Sequence, residues 1–143
     1  MFFLLICCKN IVTLCEVLFA LQYVRGVSIS GMCLHPTQFS SLCTELSSLK
    51  QLTSLRLSNN VVDLTPSHRG ALDALCTLLS ATPTLKHLDL SDVCMTGCLH
   101  EILTSISSVR LARLEISADW LSQQDFIAVQ QFRQRSSVTV IFN

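Results

Sequence analysis

Charged residues are scarce in this sequence: Asp, Glu, Lys and Arg make up 14% of its 143 residues, against about a quarter in a typical soluble domain. Ten acidic residues balance ten basic ones, and no run of basic residues occurs. A chain without net charge or a basic stripe lacks the field that attracts nucleic acid or an anionic membrane. The sequence therefore predicts neither a nucleic-acid partner nor a membrane partner.

Glycine and proline are also rare, at four and three residues. Small secreted scaffolds that depend on disulfides are short and rich in loops, so the even number of eight cysteines does not indicate one here. Most of the cysteines lie inside apolar stretches such as LLICC and ALCTLL, where free thiols pack like small hydrophobic side chains. We expect reduced thiols in the core in preference to disulfides, and a cytoplasmic or nuclear location.

A long apolar run is missing as well. The first residues, MFFLLICC, are followed by Lys9 and Asn10, and Glu16 interrupts the next apolar stretch. A membrane-spanning helix needs about 20 apolar residues, and a signal peptide has a basic start and a small-residue cleavage site. For residues 1–23 we therefore favour a buried segment, with a signal segment as the alternative.

What the sequence does contain is a recurring pattern, L-x-x-L-x-L-x-x-N-x-L, clearest in LTSLRLSNNVV at residues 52–62. The copies within residues 24–143 start near 24, 52, 85 and 111, and a final strand is expected from 135. Residues 1–23 hold a partial or degenerate copy, FFLLICCKNIV, with Leu5 at the fourth position. Apolar residues two positions apart, followed by a break in this alternation, indicate a short strand and then a turn.

The ninth position of the pattern is expected to hold an inward-pointing asparagine that binds backbone groups left unpaired at the turn. Asn60 occupies it in the clearest copy, and Asn143 is assigned to it in the last copy, where Val138 and Val140 take the fourth and sixth positions. Met32, Val93 and Asp119 replace the asparagine elsewhere, and these turns are expected to be irregular.

Segments with helical spacing lie between the copies. Their apolar residues recur every three or four positions, and they are Phe39, Leu42, Cys43, Leu46 and Leu49; Leu72, Leu75, Cys76 and Leu79; Leu99, Ile102, Leu103 and Ile106; and Phe126, Val129 and Phe132. Pro36 and Pro66 lie near helix starts, and Pro83 ends the second helix. One strand–turn–helix unit cannot bury its apolar edge alone, so successive units are expected to stack.

This arrangement resembles the leucine-rich repeat family, and within it the long helical subtype seen in ribonuclease inhibitor and in the sensor arms of NOD-like receptors. The stretch ALDALCTLLSATPTLKHLDLS, at residues 71–91, carries the resemblance most specifically. The resemblance implies an α/β solenoid, a horseshoe with parallel strands on its concave face and helices on its convex face. It also implies that the concave face binds other proteins.

No constellation of catalytic residues is evident. The histidines, at 35, 68, 87 and 100, are expected at a turn, a helix start, a strand and a helix, and no phosphate-binding glycine loop, HExxH or GxSxG occurs. The stretch CMTGCLH places Cys94, Cys98 and His100 close together, but a second ligand pair with the usual zinc spacing is missing. We therefore predict no enzyme activity, no metal and no cofactor, and structural thiols at Cys94 and Cys98.

The candidate binding residues are those expected on the concave face, where strand side chains alternate away from the core. The fifth position holds Ser28, Arg56, Asp89, Glu115 and Thr139, and the second and third positions add Arg25, Lys86, His87 and Arg113. Arg56 and Asp89 are expected to form an ion pair across neighbouring strands. The seventh position is serine in all four copies, which we attribute to the turn. Trp120 follows the fourth strand and is included as a candidate anchor.

The ends of the chain, MFFLLICC and VTVIFN, do not resemble the polar caps that repeat arrays need. We therefore interpret the sequence as the C-terminal part of a larger protein. The predicted function is a non-enzymatic protein-interaction module, the recognition or scaffold arm of a regulatory protein such as a ubiquitin-ligase substrate adaptor. The alternatives are a structural block that spaces other domains, and the sensor arm of a NOD-like receptor.

Overall fold

The structure, a computed structural model, describes residues 3–6, 23–60 and 62–143. Its main elements in chain order are β1 (Phe3–Ile6), β2 (Gly26–Ile29), α1 (Pro36–Leu46), β3 (Ser54–Arg56), α2 (Arg69–Ala81), β4 (His87–Leu90), α3 (Leu99–Ile106), β5 (Arg113–Ile116), α4 (Gln123–Arg135) and β6 (Thr139–Phe142). Short 3-10 helices at Pro66–His68 and Ala118–Trp120 precede α2 and α4.

The six strands form one sheet in chain order, and every neighbouring pair is parallel. Parallel neighbours need a crossover connection, which the helices supply from β2 onward. None of the helices in the described part of the chain is long and apolar enough to cross a membrane. The α/β class with parallel strands is confirmed.

One face of the sheet packs against the helices. The fourth positions of successive copies lie in register, with Leu55 beside Leu88 and Leu88 beside Leu114. These leucines are fully buried, in one continuous core with the inner sides of the helices. Alternation along each strand therefore turns the intervening residues to the opposite face.

The turn after β3 is closed by Asn60, as the sequence predicts. Its Oδ1 accepts a hydrogen bond from the backbone N–H of Met32 at 3.0 Å, and its Nδ2 donates to the carbonyls of Ile29 and Leu57, each at 2.7 Å. The side chain is buried. One asparagine thus satisfies backbone groups of its own turn and of the turn before it.

The eighth position of the pattern requires a left-handed backbone in three copies. Gly31, Asn59 and Asp92 have φ angles of 71°, 57° and 66°, and glycine, asparagine and aspartate are the residues that tolerate this region best. Ala118 occupies the same position after β5, where a 3-10 helix replaces the turn. The expected irregularity is therefore found at this copy, whereas the turns at Met32 and Val93 keep the left-handed residue.

The four predicted helices are present, and successive helices pack side by side. Pro36 is the first residue of α1, and His35 caps that helix together with Gln38. The inner face of α4 differs from the prediction: Asp125 and Val129 are buried, whereas Phe126 is exposed and its ring lies 6.0 Å from that of Phe142.

The predicted register of β6 is wrong by two residues. Val140, not Val138, lies beside Leu114, and Ile141, not Thr139, lies beside Glu115. The last strand consequently begins at Thr139, because α4 extends to Arg135.

The predicted register of β1, at the other end of the sheet, is wrong by one residue. Leu4 lies beside Val27, where the pattern places Leu5. The remainder of the predicted copy, at residues 7–22, lies outside the described residues.

The cysteines divide by position. Cys43 and Cys98 are buried in the core as expected, Cys76 and Cys94 are half-buried, and Cys33 is exposed. Burial raises the pKa of the Cys98 thiol to about 12 and that of Cys43 further still. The remaining three cysteines fall outside the described residues.

Candidate functional site

The face of the sheet turned away from the helices carries most of the predicted site residues, and we call it the polar face. It consists of three rows across the strands. The first row is Gly26, Ser54, His87, Arg113 and Thr139, and the second is Ser28, Arg56, Asp89, Glu115 and Ile141. Continuing the same register by two residues gives the third row, which is Ser30, Ser58, Ser91, Ser117 and Asn143. The register brings charged side chains from three neighbouring strands together.

Arg56 and Asp89 form the predicted ion pair between β3 and β4. Arg56 Nε lies 3.5 Å from Asp89 Oδ2, and the two residues are direct partners in the ladder. Asp89 is 4% exposed, and its Oδ1 accepts a hydrogen bond from the backbone N–H of Ser91 at 3.0 Å. The carboxylate is therefore fixed from two sides, while Arg56 remains half exposed.

Glu115 on β5 is the second buried carboxylate of the polar face. Its Oε1 lies 2.7 Å from His87 Nε2 and 3.1 Å from Arg113 Nε, and its Oε2 accepts a hydrogen bond from Asn143 Nδ2 at 3.2 Å. Burial by itself raises the pKa of the Glu115 carboxyl, but hydrogen bonds from these three side chains outweigh it and lower that pKa below its ordinary value. The carboxylate is thus ionised at neutral pH, and His87 Nε2 must be the donor to it.

Asn143 connects the two carboxylates. Besides its bond to Glu115, its Nδ2 donates to Ser91 Oγ at 2.8 Å, and the backbone of Ser91 donates to Asp89. A continuous network therefore extends from Arg56 to Arg113. Asn143 occupies the seventh position and lies on the polar face, which corrects its assignment as an inward asparagine of the ninth position.

One member of the serine row, Ser117, bonds a turn in the way predicted for the row. Ser117 Oγ accepts a hydrogen bond at 2.9 Å from the backbone N–H of Asp92, the residue with the left-handed backbone in the preceding turn. Ser91 accepts from Asn143. Ser117 thus bonds the preceding copy, and Ser91 bonds the last copy, at the edge where the strands end.

The other predicted site residues lie around this network. Ser28 is half-buried beside Arg56, and the exposed residues Arg25 and Lys86 come directly before β2 and before β4. Trp120 lies off the strands in a 3-10 helix, where it is 45% exposed and its carbonyl accepts a hydrogen bond from Thr96 Oγ1 at 2.6 Å. The structure therefore groups Ser28, Arg56, His87, Asp89, Arg113 and Glu115, and places Arg25, Lys86 and Trp120 at the margins.

The pairing of His87 with Glu115 and the role of Asn143 were missed by sequence reasoning. His87 and Glu115 are diagonal neighbours, because they lie on the adjacent strands β4 and β5 and are offset by two residues, and such neighbours are still within reach of long side chains. A search of diagonal positions in the aligned copies, rather than of direct partners alone, would find this pair.

Neither a metal site nor a catalytic constellation emerges from these geometries. Among the residues that the structure describes, no three metal-ligating side chains converge. In the CMTGCLH stretch, Cys98 Sγ donates to the carbonyl of Met95, while His100 is exposed. The other ring nitrogen of His87 forms no hydrogen bond with a described residue, so no described nucleophile is paired with this histidine.

No protein-family model matches the chain, and a search of curated proteins finds no match either.

Proposed function

We propose that this chain is a leucine-rich-repeat solenoid of the long helical subtype that acts as a non-enzymatic protein-interaction module. In this proposal the polar face is the concave binding surface, and the chain is the recognition arm of a larger intracellular regulatory protein, for example a ubiquitin-ligase substrate adaptor. The inward Asn60, the left-handed eighth position and the alternation of parallel strands with helices support the repeat assignment.

The observation that carries the binding role is the fixed network on the polar face. Two buried carboxylates, Asp89 and Glu115, hold Arg56, Arg113 and His87 in place across three strands. Burying carboxylates costs free energy unless they are paired, so a sheet that needed only to space other domains would be served by serine and threonine here. Side chains held in this way lose little further freedom on binding, which favours recognition.

A test places tryptophan on the polar face to block it sterically without changing charge. The two test variants are Ser28→Trp, at a half-buried position of this face, and Thr139→Trp, at an exposed one. The matched controls are Ser41→Trp on α1 and Gln130→Trp on α4, both at exposed positions. Each variant would be expressed in the full-length protein, and its bound proteins would be quantified by mass spectrometry.

We expect both polar-face variants to lose the same set of partners and both control variants to retain it. If all four folded variants keep the wild-type partner set, the binding role of the polar face is rejected in favour of a block that only spaces other domains. Circular dichroism and thermal unfolding of each variant establish that the fold is intact.

A further inference from the structure

The guanidinium groups of Arg56 and Arg113 each contact a buried carboxylate through Nε, whereas their terminal nitrogens contact no partner in the described part of the chain. Each guanidinium approaches a buried carboxylate through Nε, at 3.5 Å for Arg56 and 3.1 Å for Arg113, and each side chain is 50% exposed. Their terminal Nη atoms donate no hydrogen bond to any residue in the described part of the chain. The planar guanidinium presents its remaining donors in a fork, so both arginines have terminal donors that bond no described residue and can meet a ligand.

The carboxylates that hold these arginines are closed to ligands. Asp89 and Glu115 are 4% and 5% exposed, and the oxygens of both are occupied by the partners described above. Lys86, just before β4, is exposed and forms no ion pair with a described residue. Within the described residues, the polar face therefore offers positive charge to a partner and no exposed negative side chain.

Resting on the proposed function, we propose that the partner segment bound by the polar face is an acidic peptide whose carboxylates meet Arg56 and Arg113. Arginine forks recognise carboxylates through paired hydrogen bonds. Arg56 and Arg113 lie on β3 and β5, two strands apart and offset by two residues along the sheet, so their Cα atoms are about 12 Å apart. The carboxylates that they approach, Asp89 and Glu115, are direct neighbours in the ladder. An extended peptide with glutamate at alternate positions offers carboxylates about 7 Å and about 14 Å apart, which brackets this separation.

A nucleic acid fits this face less well. Base stacking needs aromatic side chains and phosphate binding needs a long basic stripe, whereas the three rows contain no Phe, Tyr or Trp from β2 to β6, and Phe3 on β1 is the one aromatic residue in register with them among the described residues. The overall charge of zero gives no long-range attraction to a polyanion. The positive charge is local, and it matches a short acidic segment of a protein.

The test is a fluorescence anisotropy titration of the full chain with a labelled ten-residue peptide that carries glutamate at alternate positions in a Ser/Ala background. The same peptide with glutamine in place of glutamate, and a short single-stranded DNA, are the comparison probes. Arg56→Gln combined with Arg113→Gln is the test variant, and Arg110→Gln combined with Arg133→Gln, exposed on the helical side, is the control. Each is measured at low and at moderate salt.

We expect binding of the glutamate peptide to weaken at least about tenfold in the test variant and to be unchanged in the control, because charge-assisted hydrogen bonds are lost only in the former. Higher salt weakens the wild-type complex, since the charges are partly exposed.

Equal binding of the glutamine peptide, equal binding of the DNA, or equal weakening in both double variants would overturn the acidic-peptide proposal. Absence of peptide binding to a protein whose partners are still displaced by Ser28→Trp would refute this inference while leaving the proposed function intact.

Discussion

The side chain of Asn60 shows what a single residue contributes to this fold. Its amide forms hydrogen bonds with one backbone N–H and two backbone carbonyls. Buried backbone groups without partners cost free energy comparable to a lost hydrogen bond or more. The spacing of the pattern was sufficient to predict this role, because Asn60 falls at the position where the strand ends and the chain turns.

Replacing Asn60 with alanine should lower the free energy of unfolding by about 2–5 kcal/mol, because three buried backbone groups lose their partner. Urea denaturation monitored by circular dichroism measures the change. Asn59→Gly is the matched control: this neighbour is exposed and has a φ of 57°, which glycine adopts without strain. A loss of similar size in both variants would contradict the assigned role.

The side-chain pairs of the polar face are harder to predict from the sequence than the role of Asn60. Arg56 and Asp89 are direct partners in the ladder, and aligned copies reveal such pairs. Glu115 instead draws its partners from a diagonal position and from Asn143 in the next copy. These choices depend on side-chain length and burial, which a one-dimensional pattern does not encode.

At the scale of elements, the strands and helices follow from the sequence because apolar periodicity and turn chemistry agree. The register of β6 does not follow from the sequence, because the segment TVIF and the residues around it have apolar side chains at several alternate positions. A shift of two residues keeps the same side chains on the same face of the sheet. In the structure α4 extends to Arg135 and β6 begins at Thr139.

Leu88→Ala should destabilise the protein by about 2–5 kcal/mol, since a fully buried leucine of the central strand β4 is truncated. Lys86→Ala, at an exposed residue beside the same strand, should change stability by less than about 0.5 kcal/mol. Thermal unfolding of the two variants provides the comparison. Equal stability of wild type and Leu88→Ala would show that this leucine does not face the core.

Asp125 connects two helices. Its carboxylate accepts hydrogen bonds from Ser122 at the start of α4 and from the backbone N–H groups of Gly97 and Leu99 at the start of α3. Burial raises the pKa of this carboxyl, but the hydrogen bonds outweigh burial and lower it. Phe126 appeared the better core residue from periodicity, since hydrophobicity alone does not indicate that a buried carboxylate is fully bonded.

The lowered pKa of Asp125 has a consequence for acid stability. Its stabilising contribution is present above the unfolded-state value, about 3.9, and is lost as the pH falls through the lower folded-state pKa. We expect Asp125→Asn to be less stable than wild type at pH 7 and to lose less stability on acidification to pH 3. Urea denaturation at several pH values measures both, with the exposed Asp119→Asn as control. Parallel pH profiles for wild type and Asp125→Asn would contradict this assignment.

At the scale of the whole molecule, one continuous core runs beneath the sheet and includes the thiols of Cys43 and Cys98. Both thiols have pKa values raised by burial, and the thiolate is the reactive form. Their reactivity therefore reports whether the core opens. Cys33, at the surface, provides an internal reference in the same chain.

Iodoacetamide at pH 8 should alkylate Cys33 rapidly, and Cys43 and Cys98 only at the rate at which the structure unfolds. Peptide mass spectrometry over a time course gives all three rates in one sample, and urea-unfolded protein gives the unprotected rates. Rapid modification of Cys43 in the folded protein would show that the core is open around α1.

The bonds between neighbouring copies have a direction. Asn60 completes the turn at Met32, Asp125 completes the start of α3, and Ser117 holds the backbone of Asp92. In each case the residue that completes a turn or a helix start is synthesised after it. During synthesis on the ribosome, each of these units would therefore emerge with backbone groups that lack hydrogen-bond partners. These groups would gain their partners only when the following segment is released. Stop codons within such a segment would expose the unit before them, whereas removal of residues from the N-terminal side would leave these closures intact.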